Sequence, residues 1–558
     1  MTGTGYWPAT ARRAFSRRRL IAGGAGLAGS AALLAACGRS GGPAGGANPA
    51  GTAAKSGAPK PGGQLHRYYN NSTTSLSPIT DSGERLDLAA YHAYDRLVSN
   101  LPDKDYVLQA AQTVELPDPA TVIFKLKPGM TFHNRPPVSG RAVTPEDIAK
   151  SQYYVRDNPK AGNNSFQVNS LQTVETPDAQ TVVFRLKGPN AYLFSGTQLA
   201  DPGAQCVFPK ENLDNLETAW TIGSGPYELV DYQLNVRYLY RRFAGYHEAS
   251  KGLPYIDERE VKVITDAAAQ ESAFRSGQVD LLGDAGGLQP NALADTLKRD
   301  MGDRIAIDQY LALSMLSWNA NVTKPPWNDV RIREAMYRLI NRDQYLSLLE
   351  QGKGKVPPGP LPAGLTDYQL DPKQTDKYFH QDAKAAKQLL DAAGFPYDKE
   401  IEIITINNPR NNQGGEIYQQ QLAPLGVKAR VVPLGTAEFL GQRIATGNWE
   451  TFVAYWPGYD SPQVPLRLEH TVTNHVHKYA GLKDPTIDKM IEKAEVTTDK
   501  AERIKLVKDI QIALLERYTP MIYLENYNVY TARYNYVRDY QLNPATVAMY
   551  RLEAWLDK

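Results

Sequence analysis

At 558 residues the chain is too long for a single hydrophobic core, so two or more domains are expected. Its 42% apolar and 22% charged content is that of an ordinary globular protein. The net charge of +2 comes from residues 1–36, which hold Arg12, Arg13, Arg17, Arg18 and Arg19 and no acid; the rest has 57 basic residues (five fewer than 62) against 60 acidic, a net charge of −3, so nothing points to a nucleic-acid surface.

The leader reads SRRRLIAGGAGLAGSAALLAACG from Ser16. Its apolar run, Leu20 to Ala36, is too short and too weakly apolar for a membrane span. Ser16-Arg17-Arg18-Arg19-Leu20 is similar to a twin-arginine export signal, with leucine where phenylalanine is usual. Leu34-Ala35-Ala36-Cys37 resembles a bacterial lipobox, which implies cleavage before Cys37 and a diacylglycerol on its sulfur. The body of the protein is then expected on the outer face of the cytoplasmic membrane or in the periplasm, held by that lipid. Gly24-Ala25-Gly26-Leu27-Ala28-Gly29 has the form GxGxxG, but no strand precedes it, so it carries no dinucleotide reading. The remaining cysteine, Cys206, has no partner once Cys37 is lipidated, so the fold must be held by its cores.

Gly38 to Gly63 is rich in Gly, Ala, Ser and Pro and reads as a tether, with ordered structure from about Gln64. An internal echo follows. QTVELPD at Gln112 leads into TVIFKLK, and 60 residues later QTVETPD at Gln172 leads into TVVFRLK. In each, a Pro-Asp turn joins two β-prone runs, so two hairpins are predicted, with Val122, Phe124 and Leu126 on one face and Val182, Phe184 and Leu186 likewise.

The C-terminal half alternates helices and strands, which points to an α/β layer architecture. Ile332, Ala335, Met336, Leu339 and Ile340 form an apolar stripe at helical spacing. Asp382 opens a helix that Gly394 ends, Asp484-Pro485 opens another, and Asp499 with Glu502 starts a long one reaching about Tyr518. Strands are predicted at IEIITI (401), VKARVVPL (427), TFVAYW (451) and PMIYLE (520).

A series of motifs in order, FKLKPGMTFHN at Phe124, AVTPEDIAKS at Ala142, GSGPYEL at Gly223, LPYIDEREVKVI at Leu253, SGQVDLL at Ser276, DVRIREAMYRLINRD at Asp329 and DAKAAKQLLDAAGF at Asp382, resembles the family 5 extracellular solute-binding proteins of ABC importers. SLSPIT at Ser75 and YHAYDRLV at Tyr91 are similar to that family's opening. The resemblance implies an enlarged type II periplasmic-binding fold of two lobes closing on a ligand, with an extra β-rich subdomain. The implied division is 1–36 signal peptide, 37–62 lipidated cysteine and linker, 63–95 with 216–305 and 526–558 as lobe I, 96–215 as its subdomain, and 306–525 as lobe II. It implies a monomer without cofactor that serves membrane-embedded permease subunits, with ATP hydrolysed by separate subunits.

Sharper chemistry finds little support in the residues. His470, His475 and His477 cluster, but their spacing is not a usual metal pattern. Ser224 in GSGPY does not fit GxSxG and shows no oriented base. Lys353-Gly354-Lys355 lacks the glycine spacing and the following Ser or Thr of a nucleotide loop. No metal and no catalysis are expected. Candidate ligand contacts are Tyr69 and Asn70, beside Tyr68 and Asn71 at the end of the first strand, Trp318 and Asn319 where the chain enters the second lobe, and Trp456, Tyr459 and Asp460 in AYWPGYDSPQVP. Peptide binders of the family carry an aspartate in that loop for the ligand's amine; here the loop is shorter, its register offers Gly458 or Tyr459, and Asp460 falls one or two places along. A carrier of a peptide or peptide-like solute is therefore expected. The alternatives are the same scaffold with an oligosaccharide, an opine-like compound or nickel, and an exported hydrolase or sensor.

Overall fold

The computed structural model describes residues 57–558 apart from 71–72, 74, 81–88, 102–103, 163, 217–220, 284–286, 289–290, 457, 472–478, 480 and 541–551. The leader, Cys37, Asn71, His475 and His477 lie outside the described residues. Among the described residues no helix is long and apolar enough to cross a membrane.

The first lobe is built on a four-stranded sheet ordered Gln64–Tyr69, Glu258–Val263, Arg237–Arg242 and Tyr227–Gln233. Its first pair is parallel and the others antiparallel. Tyr69, Tyr227, Leu229, Tyr238, Tyr240 and Val261 pack together on one face, as the period of two in a strand requires.

The two echoed hairpins join into a second four-stranded sheet, in the order Ala111–Asp118, Thr121–Leu126, Thr181–Leu186 and Leu171–Glu175. Their inner strands pair antiparallel, Val122 opposite Phe184 and Phe124 opposite Val182. These side chains, with Leu126 and Leu186, form one core under Ile148 of the helix Pro145–Asp157. Each Pro-Asp turn is closed by its aspartate. Asp118 accepts the Ala120 N–H at 2.8 Å, and Asp178 accepts those of Gln180 and Thr181 at 2.8 and 2.9 Å.

The larger mixed sheet runs in the order Leu281–Leu282, Met521–Tyr534, Met315–Ala320, Thr451–Trp456, Ile401–Ile406 and Ala429–Leu434. The helices over it start where their caps predict. Asp382 accepts from Ala385, Asp484 from Thr486 and Ile487, and Asp499 from Glu502. Ile332, Ala335, Met336 and Leu339 of Val330–Leu339 enter the main core with Trp318, Trp327 and Tyr418.

One strand differs from expectation. The run predicted at PMIYLE does not stop at Glu525 but continues to Tyr534, because NYNVYTARY is itself rich in β-forming side chains. Its first part pairs with Met315–Ala320 in one lobe, and its last part, Asn528 to Tyr534, pairs with Ile305–Leu311 in the other. The expected boundaries at 305/306 and 525/526 thus fall at the first residue of one strand and inside another. Asn526, fully buried, ties the two passages together. Its side chain donates to the carbonyls of Ala312 (3.3 Å) and Ser314 (2.8 Å) and accepts the Ala363 N–H at 2.8 Å. Gly354 of the KGK run lies against this point. A Cβ there would sit 2.4 Å from the Asn526 carbonyl oxygen, so this glycine serves a close backbone approach.

Candidate functional site

Two motifs of the first lobe are structural. Gly223 and Gly225 pass so near Ala93 that a Cβ on either would lie 1.9 and 2.6 Å from its backbone. His133 holds them: its Nδ1 accepts the Gly223 N–H at 3.3 Å and its Nε2 faces the Gly225 carbonyl at 3.0 Å, which assigns the neutral ring with its proton on Nε2. Burial pushes this imidazole down to about 4, consistent with that form. Ser224 is buried between the two glycines. In AVTPEDIAKS the hub is Asp147, which accepts from both terminal nitrogens of Arg141 (2.9 and 2.6 Å), from the Thr144 N–H (2.9 Å) and from the Lys210 N–H (3.1 Å).

The aromatic candidates divide. Tyr68 and Tyr69 are buried on opposite faces of their strand; the Tyr68 hydroxyl accepts the Gly283 N–H at 2.9 Å and Tyr69 joins the tyrosine-rich core. Asn70, beside them, is partly exposed. Trp318 is fully enclosed, edge-on to Trp327 and Tyr418 at 5.9 Å each, so it belongs to the core of the second lobe and not to a cleft wall. Asn319 points to the other face of the sheet. There, Ser317 Oγ accepts from Asn319 Nδ2 at 2.8 Å and from Trp456 Nε1 at 2.7 Å, so one hydroxyl joins two of the predicted residues. Trp456 also packs against Phe452, at the buried end of its strand. Tyr459 is half-buried beside the same cluster, and burial pushes its phenol up to about 12.

Asp460 reaches across to the first lobe, where its Oδ2 accepts the Gly196 N–H at 2.7 Å. Neighbouring contacts extend this seam. Gln198 Nε2 lies 3.5 Å from Gln463 Oε1, the Ala191 N–H donates to the Glu495 carbonyl at 2.7 Å, and Arg503 sits over the Tyr192 ring at 5.6 Å. Leu193 and Leu199 anchor the segment in the core of the hairpin sheet. Asp201, just beyond, accepts from Gly203 and Ala204; burial pushes its carboxyl up to about 7, and the charge of Asp460 adds to the effect. Nothing in the local sequence around Gly196 signals this role, since a lone glycine in a loop has no pattern of its own.

A second group missed from sequence lies where the lobes join. A bulge at Leu316/Ser317 shifts the register of the long strand, so Leu316 stands between Tyr455 on one side and Glu525 on the other. The Tyr455 hydroxyl donates to Glu525 and lies 3.4 Å from Glu350, at the end of Arg342–Glu350. Glu350 accepts from Arg410 at 3.0 Å and from Asn291, of the first lobe, at 2.6 Å. His470, by contrast, faces Glu492 at 3.3 Å, and among the described residues no group of three possible metal ligands occurs.

Comparison with known proteins agrees with this architecture. Residues 105–474 match the model of the bacterial extracellular solute-binding proteins, family 5. The chain is 24% identical over 493 residues to the dipeptide-binding protein of Escherichia coli, covering 83% of this chain and 89% of that protein. It is 25% identical over 489 residues to the glutathione-binding protein GsiB of Pectobacterium atrosepticum, covering 85% and 90%. The structure of the oligopeptide-binding protein AppA of Bacillus subtilis, in complex with a nonapeptide, superposes with a TM-score of 0.72 at 20% identity, over 90% of this chain and 100% of that one. The two lobes, the strand shared between them and a family match over most of the ordered chain place this protein among the family 5 bacterial extracellular solute-binding proteins.

Proposed function

We propose that the chain is the lipid-anchored, extracytoplasmic receptor of an ABC importer, which captures a peptide or peptide-like solute between its lobes and passes it to a membrane permease. The observation that carries the reading is the hinge-and-seam layout. The two lobes share a strand at Asn526 and meet again through Asp460 and Gly196. Contacts of the second kind form only when the lobes are together, so a ligand held between them favours the closed state by its differential affinity. We assign lobe I to residues 63–95, 216–311 and 528–558 with 96–215 as its subdomain, and lobe II to 315–524, with the hinge at 312–314 and 525–527, so the expected edges at 305/306 and 525/526 move to the ends of the paired strands.

The solute class is supported by the curated relatives, one named for a dipeptide and one for glutathione. Asp460 is engaged with a backbone N–H across the seam and serves as a closure contact in this reading. In this reading the partly exposed Asn70, Tyr459 and Asp460 are kept as the candidate ligand contacts, and the buried Tyr69, Trp318, Asn319 and Trp456 as residues that support them. Native mass spectrometry of the protein purified from its own host tests the solute. A co-purified peptide supports the reading; a sugar, an opine-like compound or nickel overturns it. The anchor at Cys37 is tested separately: Cys37→Ala should move the protein from the membrane to the soluble fraction, and an unchanged distribution overturns it.

A further inference from the structure

The junction of the lobes encloses two carboxyl groups and one guanidinium. Glu350 and Glu525 are both fully buried. Glu350 is the better served: it accepts from Arg410 at 3.0 Å and from Asn291 at 2.6 Å, with the Tyr455 oxygen 3.4 Å away. Glu525 is poorer. Its Oε1 takes the Tyr455 hydroxyl, and its Oε2, out of reach of water, has no hydrogen-bond partner among the described residues. Two ionised carboxylates beside one guanidinium would leave a net negative charge in a dry site, and an anionic oxygen without a donor is costly there. Protonation of Glu525 removes that charge, whereas Glu350 keeps its guanidinium.

Among the described residues, the other elements around the site supply no second cation. The helix Pro409–Leu422 contributes Arg410, whose guanidinium stacks over Tyr527 at 4.2 Å and Tyr455 at 5.4 Å, and Asn411, which accepts the Tyr455 N–H. The strand Met315–Ala320 contributes Leu316. Beyond Glu350, Lys353 is committed to Asp295 at 2.7 Å and lies over the Tyr530 ring, and Lys355 is exposed.

We propose that Glu525 is held as an undissociated carboxylic acid at the lobe junction, and that loss of its proton loosens the closed arrangement. The link to opening is geometric. Asn291 belongs to the first lobe and Glu350 to the second, so parting the lobes breaks their hydrogen bond and admits water to both carboxyls. Burial, reinforced by the charge of Glu350, pushes Glu525 up to about 8; burial pushes Glu350 up to about 7, against the pull of Arg410. In water a glutamic acid titrates near 4.3, so closure takes up a proton between about pH 4.3 and 8. Each unit of rising pH within that window then weakens closure by up to about tenfold, and below it both states are protonated and the dependence vanishes.

This proposal does not depend on which solute is carried. Infrared difference spectra of the soluble mature chain between pH 6 and pH 9 should contain the carbonyl stretch of a buried undissociated carboxyl, and Glu525→Gln should remove it. Small-angle scattering of the same samples should show the wild-type chain more extended at pH 9 than at pH 6, and Glu525→Gln compact at both. Absence of the band in wild type, its survival in Glu525→Gln, or an identical pH response of the radius of gyration in both proteins overturns the proposal. The first measurement requires no variant, so it stands even if the substitution impairs folding; Glu350→Gln, which removes a charge that helps raise Glu525, should shift the expansion and the loss of the band to lower pH than in wild type, and an unchanged onset overturns the proposal.

Discussion

Asp147 and Glu525 are both acids with fully buried side chains, yet their surroundings drive them in opposite directions. Burial raises each, but Asp147 also receives Arg141 in a two-pronged pair and two backbone N–H groups, and these hold it below the usual carboxylate range. Glu525 receives one hydroxyl and faces a second carboxylate, and it goes up. Burial alone therefore does not decide the charge of an acid; the number of donors aimed at it does. The first arrangement sits within one subdomain, on the helix that covers the hairpin sheet. The second sits where two lobes must be able to part.

The sharpest way to break this comparison is to remove the well-served acid. Asp147→Ala should lower unfolding stability in urea by about 2–4 kcal/mol, because the backbone N–H groups of Thr144 and Lys210 lose their acceptor while Arg141 keeps only Glu211 as a carboxylate partner. A loss under about 1 kcal/mol would show that the donors at Asp147 contribute little. Trp456→Phe should cost about 2 kcal/mol by the same method, since Ser317 loses one donor and the smaller ring leaves a gap beside Phe452. If that variant instead keeps its stability and loses ligand, the indole is a cleft wall after all.

The pH profile separates the two acids by sign. Asp147, with its folded value depressed, stabilises the protein above the unfolded value near 3.9, and that contribution is lost as pH falls through the folded value. Glu525, with its folded value raised, binds more proton when folded, so its effect runs the other way. Stability attributable to it declines by up to about 1.4 kcal/mol per pH unit as pH rises from about 4.3 to 8. Melting curves across pH should therefore flatten below pH 4 in Asp147→Asn and between about 4.3 and 8 in Glu525→Gln. Interchanged or absent effects would refute the pairing of donors with charge. The smallest change is expected from Asp460→Ala, whose stability should stay within about 0.5 kcal/mol of wild type, with the loss appearing as a larger radius of gyration. A loss of several kcal/mol would make Asp460 part of the fold.

Much of the local architecture was legible in the chain. Asp382, Asp484 and Asp499 cap the helices they precede, and the Pro-Asp turns close through their own aspartates. These signals act over two to four residues, so neighbours in sequence suffice. The candidate site was less legible. Trp318 and Trp456 carry the features of binding aromatics, but the same size and polar tip suit a core side chain, and their contacts with Tyr418 and Ser317 come from segments the local sequence does not reveal. The strand at PMIYLE was cut short because its continuation changes partner at Asn526 without any break in β-propensity.

The sequence by itself determined the caps, the hairpins, the α/β order of the second half and, through the motif series, the family. Only the tertiary structure decided what the isolated polar residues do. Gly196 and Asp460 are 264 residues apart, and Tyr455 and Glu525 are 70 apart. Hydrogen bonds and charge effects act over a few ångströms in space, whatever the separation along the chain. The role of such a residue is therefore set by which distant segment the fold lays against it.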